Sequence, residues 1–220
     1  DSFNTAVGFE AGLAVTTGIE NTLIGGQAGD ALTDADFNTA VGKQTLTADT
    51  LGSRSTAIGF GALQAQNFTT ATDTYNVALG FWAGKEVTTG VQNTFIGGLA
   101  GDATDDGQFN VAVGYLSLSA NCGDNNVAVG HRSLTATTGS LNTAVGKEAG
   151  TAVTSGLQNT LIGALAGVAL TTGGTNTAVG YESLNSEQEG TKNTALGYQA
   201  LKALSGAGAN ADNVAVGNQS

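Results

Sequence analysis

Small, aliphatic and polar residues alternate in a short word that recurs along the whole chain. The word reads Asn-Thr-Ala-Val-Gly with variation and occurs thirteen times, mostly 17 residues apart. Its second residue is Thr or Val, its fourth is Val, Ile or Leu, and its fifth is always Gly. Thr and Val have nearly the same shape and favour strands, so the word predicts a short β-strand that the glycine ends. The words start at Asn4, Asn21, Asn38, Ser55, Asn76, Asn93, Asn110, Asn126, Asn142, Asn159, Asn176, Asn193 and Asn213.

The spacing of the words distinguishes between repeat architectures. Paired helices need about 33 residues or more per repeat, and a high content of Gly, Thr and Val is unfavourable to helices. A coil of two or three short strands joined by glycine turns fits ~17 residues, and such coils stack ~4.8 Å apart. The sequence therefore predicts an all-β fold, a β-solenoid (β-roll) of about thirteen coils that forms one repeat domain over residues 1–220.

A second pattern arranges the coils in groups of four. Counted from the Asn as offset 0, offset 8 runs Gly, Gly, Leu, Leu in three successive groups. Most glycine coils carry an aliphatic residue at offset 11, whereas the leucine coils mostly carry a polar one, such as Asp49, Gln66, Asn121 and Glu187. Each coil thus supplies about one aliphatic side chain to a core of constant volume. The repeated Asn predicts a ladder of side chains that bond from coil to coil and satisfy turn backbone groups.

The alternation of side chains along a strand assigns a face to each offset. Because offset 3 is aliphatic in every copy, we place it inside together with offset 1, so that offset 2 points outward. A column with no polar residue in thirteen copies favours contact with another chain over contact with water. The alternative is that offset 2 is the interior and that offsets 1 and 3 lie outside. The predicted oligomer interface comprises Ala6, Leu23, Ala40, Ala57, Ala78, Phe95, Ala112, Ala128, Ala144, Leu161, Ala178, Ala195 and Ala215.

Charge and composition narrow the function classes. Seven Lys and Arg against eighteen Asp and Glu give a net charge of −11, which argues against nucleic acids and anionic membranes as partners. No apolar run approaches the ~18 residues of a transmembrane helix. The single cysteine, Cys122, permits no intrachain disulfide, and the single histidine, His131, leaves little material for a zinc site or a catalytic triad. No catalytic or phosphate-binding motif appears in context, so we expect no enzyme and no cofactor.

Two coils are lengthened, with steps of 21 and 20 residues. Loops on a rigid scaffold commonly carry recognition, although an insertion that is merely tolerated costs little. The second insertion, Ser205 to Asp212, is rich in Gly and Ala and is the lesser candidate. The candidate receptor contacts in and beside the first insertion are Asn67, Phe68, Thr69, Thr70, Asp73, Tyr75 and Trp82.

Aromatic residues and acidic turns offer two further candidate chemistries. Ten of the thirteen aromatic residues flank the strand, at offset 5 or just before the Asn, where their rings could stack on sugars. Covering the ends of a thin core is the more common role for such residues. The acidic turns, Asp34 with Asp36 and Asp102 with Asp105 and Asp106, are of a kind that suits calcium. Neither a glycine-aspartate calcium repeat nor EF-hand spacing is present, so we expect solvated turns without a metal.

The repeat words resemble those of known fibrous proteins. Residues 4–8 (Asn-Thr-Ala-Val-Gly) and 193–201 (Asn-Thr-Ala-Leu-Gly-Tyr-Gln-Ala-Leu) resemble head repeats of trimeric autotransporter adhesins, and resemble still more the repeat regions of marine bacteriophage tail fibres. The resemblance covers the whole chain. The adhesin heads imply a left-handed β-roll, three chains per fibre and surface attachment, and the phage proteins imply a virion fibre. The coil of this chain is longer, and its word lacks the extra strand residue common in adhesin heads.

The residues and the resemblance together lead us to expect a structural and adhesive segment of a longer fibre. It would be a parallel homotrimer, placed outside the cell in a virion tail fibre or on a bacterial surface. Its partners would be its own copies, neighbouring fibre or virion segments, and a host-surface glycan or protein. The alternative is a solenoid that binds ice or another crystal surface through the stacked threonines of offset 1, if that face is outward. A glycan-cleaving fibre enzyme would need a carboxylate pair, and none stands out.

Overall fold

The computed structural model describes residues 2–204 and 212–220. Its secondary structure consists of short strands and turns, and the described residues contain no helix. The chain forms two compact units, residues 1–110 and 111–220. Each unit is a parallel β-solenoid with a repeat of ~17 residues, and the two contain about twelve turns in all. The all-β solenoid and its repeat length are therefore confirmed. Of the second insertion, Ser205 to Asp212, residues 205–211 lie outside the described residues.

Each repeat word forms one three-residue strand, and like offsets pair with like. In the first unit, the strands of the words pair in parallel in chain order, and a short extra pair joins Gly52–Ser53 to Thr72–Asp73 of the first insertion. The strands of this unit are β1 (Thr5–Val7), β2 (Thr22–Ile24), β3 (Thr39–Val41), β4 (Gly52–Ser53), β5 (Thr56–Ile58), β6 (Thr72–Asp73), β7 (Val77–Leu79) and β8 (Thr94–Ile96).

The second unit repeats this arrangement without an extra pair among its described residues. Its seven strands pair in parallel from each coil to the next. They are β9 (Val111–Val113), β10 (Val127–Val129), β11 (Thr143–Val145), β12 (Thr160–Ile162), β13 (Thr177–Val179), β14 (Thr194–Leu196) and β15 (Val214–Val216).

Offset 2 forms the interior of both units, so the prediction that it faces outward was wrong and the alternative orientation is confirmed. The coil is thin, and a methyl group is all that most of its strands contribute to the core. These side chains are covered by their own chain, so they cannot form an interface with a second one. The buried members are Leu23, Ala40, Ala57, Ala78, Phe95, Ala112, Ala128, Ala144, Leu161, Ala178 and Ala195, whereas Ala6 is exposed and Ala215 half-buried in the first and last strands described.

The large members of offset 2 explain the grouping of coils in fours. Phe95 lies in the core against two glycines of offset 8, and a Cβ built on Gly101 would lie 2.5 Å from ring atoms of Phe95. Leu161 fills the space beside Gly167 in the same way, with 2.8 Å between such a Cβ and Leu161 Cδ2. The third and fourth coils of each group carry alanine at offset 2 and a leucine at offset 8, such as Ala40 with the buried Leu46. Most coils therefore bury one aliphatic side chain at offset 8 or at offset 11, as predicted from the sequence.

Two features explain why the last residue of the word is always glycine, namely its backbone conformation and its close contact with the next coil. In Gly25 the φ angle is +137°, which only glycine adopts readily. A Cβ at Gly25 would lie 2.4 Å from the carbonyl oxygen of Gly42 in the next coil. Stacked glycines thus let successive coils approach at the end of each strand. The residue just before each word also has a positive φ, between 50° at Tyr75 and 66° at Arg54, so the chain enters every strand through a left-handed turn.

The asparagine ladder is confirmed. The Oδ1 atom of Asn4 accepts a 2.8 Å hydrogen bond from the backbone N–H of Asn21, and Asn21 Nδ2 donates to the carbonyl of Ala35 at 2.7 Å. In the second unit, Asn159 makes the same bonds to its neighbours and is 1% exposed. Because each side chain binds a backbone group of its own coil's turn and one of the next coil, the ladder fixes both the turn and the stacking.

One word begins with serine, and a glutamine side chain completes the ladder there. Gln66 donates a 2.9 Å hydrogen bond from Nε2 to Ser55 Oγ and accepts one of 2.9 Å from Asn76 Nδ2. Gln66 Nε2 also donates to the carboxylate of Asp49 at 2.6 Å, and the Asp49 carboxylate accepts the N–H of Phe68 at 3.0 Å. This buried network anchors the start of the first insertion and occupies the place of an aliphatic core residue.

Candidate functional site: the outer sheet face

The outward side of the strands carries the two columns that we had expected inside. Offsets 1 and 3 hold nine threonines and seventeen aliphatic residues over the thirteen words, and neither column contains a charged residue. Their side chains are half-buried or exposed. Leu79 is 44% exposed in the first unit, and Leu196 is 46% exposed in the second. In each unit the outer face of the strands is therefore a largely apolar surface that no described residue of the chain covers.

The physical origin of this surface is the thin coil. Each strand formed by a repeat word has only three residues, so its single inward side chain fills the core while the two outward ones remain on the surface. Like residues pair between coils, as in Thr22 with Thr39, and partly cover each other. Water-exposed columns normally mix charged and polar residues, and an extended apolar patch is typical of a binding surface.

Aromatic rings stand along one flank of the outer face, at offset 5. The rings of Phe60 and Phe81 stack at 5.6 Å between centroids, and Trp82 stacks on Phe81 at 4.5 Å. Tyr181 and Tyr198 stack at 5.5 Å in the second unit. These rings are exposed or half-buried and stack from coil to coil.

The opposite flank, just before each word, carries a smaller cluster in the first unit. The guanidinium of Arg54 lies 4.6 Å from the centroid of the Phe37 ring and forms a 2.9 Å ion pair with Asp73. The Tyr75 hydroxyl donates a 3.3 Å hydrogen bond to Asp73. Arg54 thereby links the first insertion to the flank of the outer face.

The structure separates the predicted receptor contacts. Phe68 is only 7% exposed and belongs to the core of the insertion, so it is not a surface contact. Trp82 lies on the aromatic flank, at the other end of the strand from Tyr75. The remaining members of the predicted set are exposed, namely Asn67, Thr69, Thr70, Asp73 and Tyr75.

Carboxylates occur in two environments. The Asp34 carboxylate accepts a 2.5 Å hydrogen bond from Thr17 and that of Asp105 accepts one from Thr88, so these turn residues bind neighbouring coils. No group of three potential metal ligands occurs within residues 2–204 and 212–220. Asp49 is fully buried, and desolvation raises the pKa of its carboxyl, although hydrogen bonds from Gln66 and backbone N–H groups oppose the rise. In the sequence, the one sign of this network is a polar residue at offset 11.

Comparison with known protein families, curated proteins and solved structures gives no match. Within the part of the chain that the structure describes, no helix is long and apolar enough to span a membrane. The function is therefore argued from the geometry of the outer face.

Proposed function

We propose that this protein is a structural and adhesive fibre segment whose copies associate through the outer face of their strands. The observation that carries the proposal is the absence of charge from offsets 1 and 3 in a chain with a net charge of −11. All charged side chains are placed at other offsets, where repulsion between copies keeps those surfaces apart. An apolar surface with a polar surround is typical of an oligomer interface.

The copies are arranged in parallel as a homotrimer, with like coils side by side. Most oligomers of identical chains have closed symmetry, and three sheet faces around one axis leave no apolar face open. Such a fibre belongs outside the cell, in a virion tail fibre or a bacterial surface adhesin, where its ends meet neighbouring segments and its flanks meet a host-surface glycan or protein. The resemblance of the repeat words supports this assignment.

Mass photometry of the purified chain tests the proposal. We expect a species of about 65 kDa, three times the chain mass of 21.7 kDa. In a first variant, Val145→Lys and Ile162→Lys place two charges on the outer face. In a matched control, Ser155→Lys and Thr172→Lys place the same charges on exposed turns.

The outer-face variant is expected to dissociate into monomers, because two lysine ammonium groups would be buried without partners. The control is expected to remain trimeric. A wild-type chain that is monomeric at micromolar concentration would refute the proposal.

A second candidate function, binding to ice or another crystal surface, is favoured by the outward threonines. Residues Thr143, Thr160, Thr177 and Thr194 pair in unbroken register in the second unit, at a spacing of ~4.8 Å. The first unit has an equivalent run of four from Thr5. A thermal-hysteresis assay distinguishes the two functions. Activity from a monomer supports the crystal-binding function, whereas a trimer without activity supports the fibre.

A further inference from the structure

The aromatic flank of the second unit contains a gap at Ala164. In the strand register, Thr143 pairs with Thr160 and Thr160 with Thr177, which places Ala164 between Lys147 and Tyr181 at offset 5 of successive coils. Hydrogen bonds from the N–H of Leu165 to the carbonyl of Lys147 and from the N–H of Glu182 to that of Ala164, both 3.0 Å, hold the three coils together there. The column therefore has a small residue where its neighbours have large ones.

One face of the Tyr181 ring is available in this gap. The other face stacks on Tyr198 with 15° between the planes, which holds the ring in a fixed orientation. Tyr181 is 43% exposed, and its neighbour at offset 5 in the preceding coil, Ala164, has only a methyl group. The side-chain layer of one coil is ~4.8 Å thick. That thickness matches one pyranose ring lying flat against the aromatic face, where its C–H groups gain dispersion contacts.

Polar groups border the gap on both sides. Next to Tyr181, the carboxylate of Glu182 accepts a 2.6 Å hydrogen bond from Gln199 and another from Lys202, both of which lie in the coil of Tyr198, on the side away from Ala164. These bonds hold the pKa of Glu182 below its ordinary value, so the group is ionised at neutral pH. On the other side, Glu148 forms a 3.5 Å ion pair with Lys147. Ionised carboxylates accept hydrogen bonds from sugar hydroxyls and repel anionic sugars.

We propose that the gap at Ala164 is a binding site for a single pyranose ring of a neutral glycan, stacked on Tyr181 and hydrogen-bonded by the carboxylate of Glu148. Both lysines near the gap already pair with glutamates, Lys147 with Glu148 and Lys202 with Glu182. The site therefore selects neutral hexoses over sialic or uronic acids. A small number of polar groups beside an aromatic platform is typical of a site that binds a small ligand.

The inference rests on the proposed fibre function, because it names the class of host ligand that such a fibre would contact. The gap lies on the flank of the outer face rather than among offsets 1 and 3, so association of copies through that face leaves the site at the rim. Glycan binding and oligomer mass can accordingly be measured separately on the same variants.

The experiment uses the full chain and immobilised methyl galactoside, methyl glucoside, sialic acid and glucuronic acid as probes. Tyr181→Ala removes the platform, and Ala164→Tyr fills the gap with a ring that continues the column. His131→Ala removes a ring of the same column that does not border the gap, and Ala164→Ser keeps the gap open. Circular dichroism and mass photometry are recorded for every variant.

We expect the wild type to bind at least one neutral hexose and neither acidic sugar. Tyr181→Ala and Ala164→Tyr should each weaken binding about tenfold or more, while the two controls stay within about twofold. The site would be overturned if binding were lost only in variants that also lose the fold or the trimer. It would also be overturned if a folded Ala164→Tyr variant bound the neutral hexose as well as the wild type does. Absence of neutral-hexose binding in a trimeric wild type would overturn the inference and leave the fibre function standing. A monomeric wild type that still binds would overturn the fibre function and leave the site.

Discussion

The packing of Leu161 against Gly167 allows the most direct test of how side chains fill the core. The three atoms nearest to a Cβ built on Gly167 all belong to Leu161, at 2.8, 3.1 and 3.5 Å. Gly167→Ala therefore forces Leu161 to move, and such overpacking costs ~1–3 kcal/mol. The φ angle of Gly167, +57°, adds ~1 kcal/mol for an L-residue. Leu161→Ala alone should cost about 3–5 kcal/mol, because the side chain is fully buried.

The double variant should be less destabilised than the sum of the two single ones. Once Leu161 is alanine, the new methyl at position 167 enters vacated space, so the overpacking disappears and only the cost of the left-handed backbone remains. We expect a coupling free energy of ~1–3 kcal/mol. Urea unfolding followed by far-UV circular dichroism, on the wild type and the three variants, measures this coupling.

Gly146 provides the matched control. A Cβ there would lie 2.6 Å from the backbone carbonyl group of Gly163, which no side-chain truncation can relieve. Gly146→Ala and Leu161→Ala should thus be additive within about 0.5 kcal/mol. Additivity at Gly167, or an equal coupling at Gly146, would refute the assignment of these glycines to two different kinds of contact.

Three further predictions concern the buried polar groups. Asn159→Ala removes a buried amide that bonds Gly173, Asn142 and Asn176 and should lower the free energy of unfolding by ~2–4 kcal/mol. An Asn159→Ala variant as stable as the wild type in urea would contradict the ladder's energetic role. Gln66→Leu restores an apolar residue but removes the side-chain donor to the buried carboxylate of Asp49, which keeps only its backbone donors. It should therefore cost ~1–3 kcal/mol despite a similar volume, as measured by thermal unfolding. Gln66→Glu is the polar comparison, and a stabilised Gln66→Leu variant would show that the network is dispensable. The raised pKa of Asp49 means that the folded state binds its proton at a higher pH than the unfolded state, above the ordinary value of 3.8. Lowering the pH from 7 towards 4 should therefore stabilise the wild type relative to Asp49→Asn in paired urea titrations, and a pH-independent difference would contradict it.

The repeat, the strand of each word and the asparagine ladder could be predicted from the sequence, because each depends on local chemistry that recurs thirteen times. The orientation of the strand could not be derived from hydropathy, because both of its faces are apolar. Val and Ile rank above Ala among buried residues, which favoured the wrong face. The informative signal was that a large residue at offset 2, Leu23, occurs together with glycines at offset 8, Gly12 and Gly29. Two offsets whose side-chain volumes compensate each other in this way must face the same core.

The candidate site was predictable only in part. The aromatic residues at offset 5 were visible as a column, but their exposure follows from the orientation of the strand. The left-handed turn before each word was hidden, because Phe, Glu, Gln and Lys all occupy it. No local preference of these residues marks the conformation, so only the stacking of coils reveals it.

The exchange of volume between offset 2 and offset 8 also constrains how such a chain can change in length during evolution. Deleting the coil of Gly84 would bring Phe95 beside the leucine coil of Leu63, where no glycine such as Gly84 makes room for it. Gene segments that encode four coils carry their own matching glycines and can be gained or lost without a clash. Length variants of this protein should therefore differ by multiples of roughly four coils, about 68 residues, rather than by single repeats.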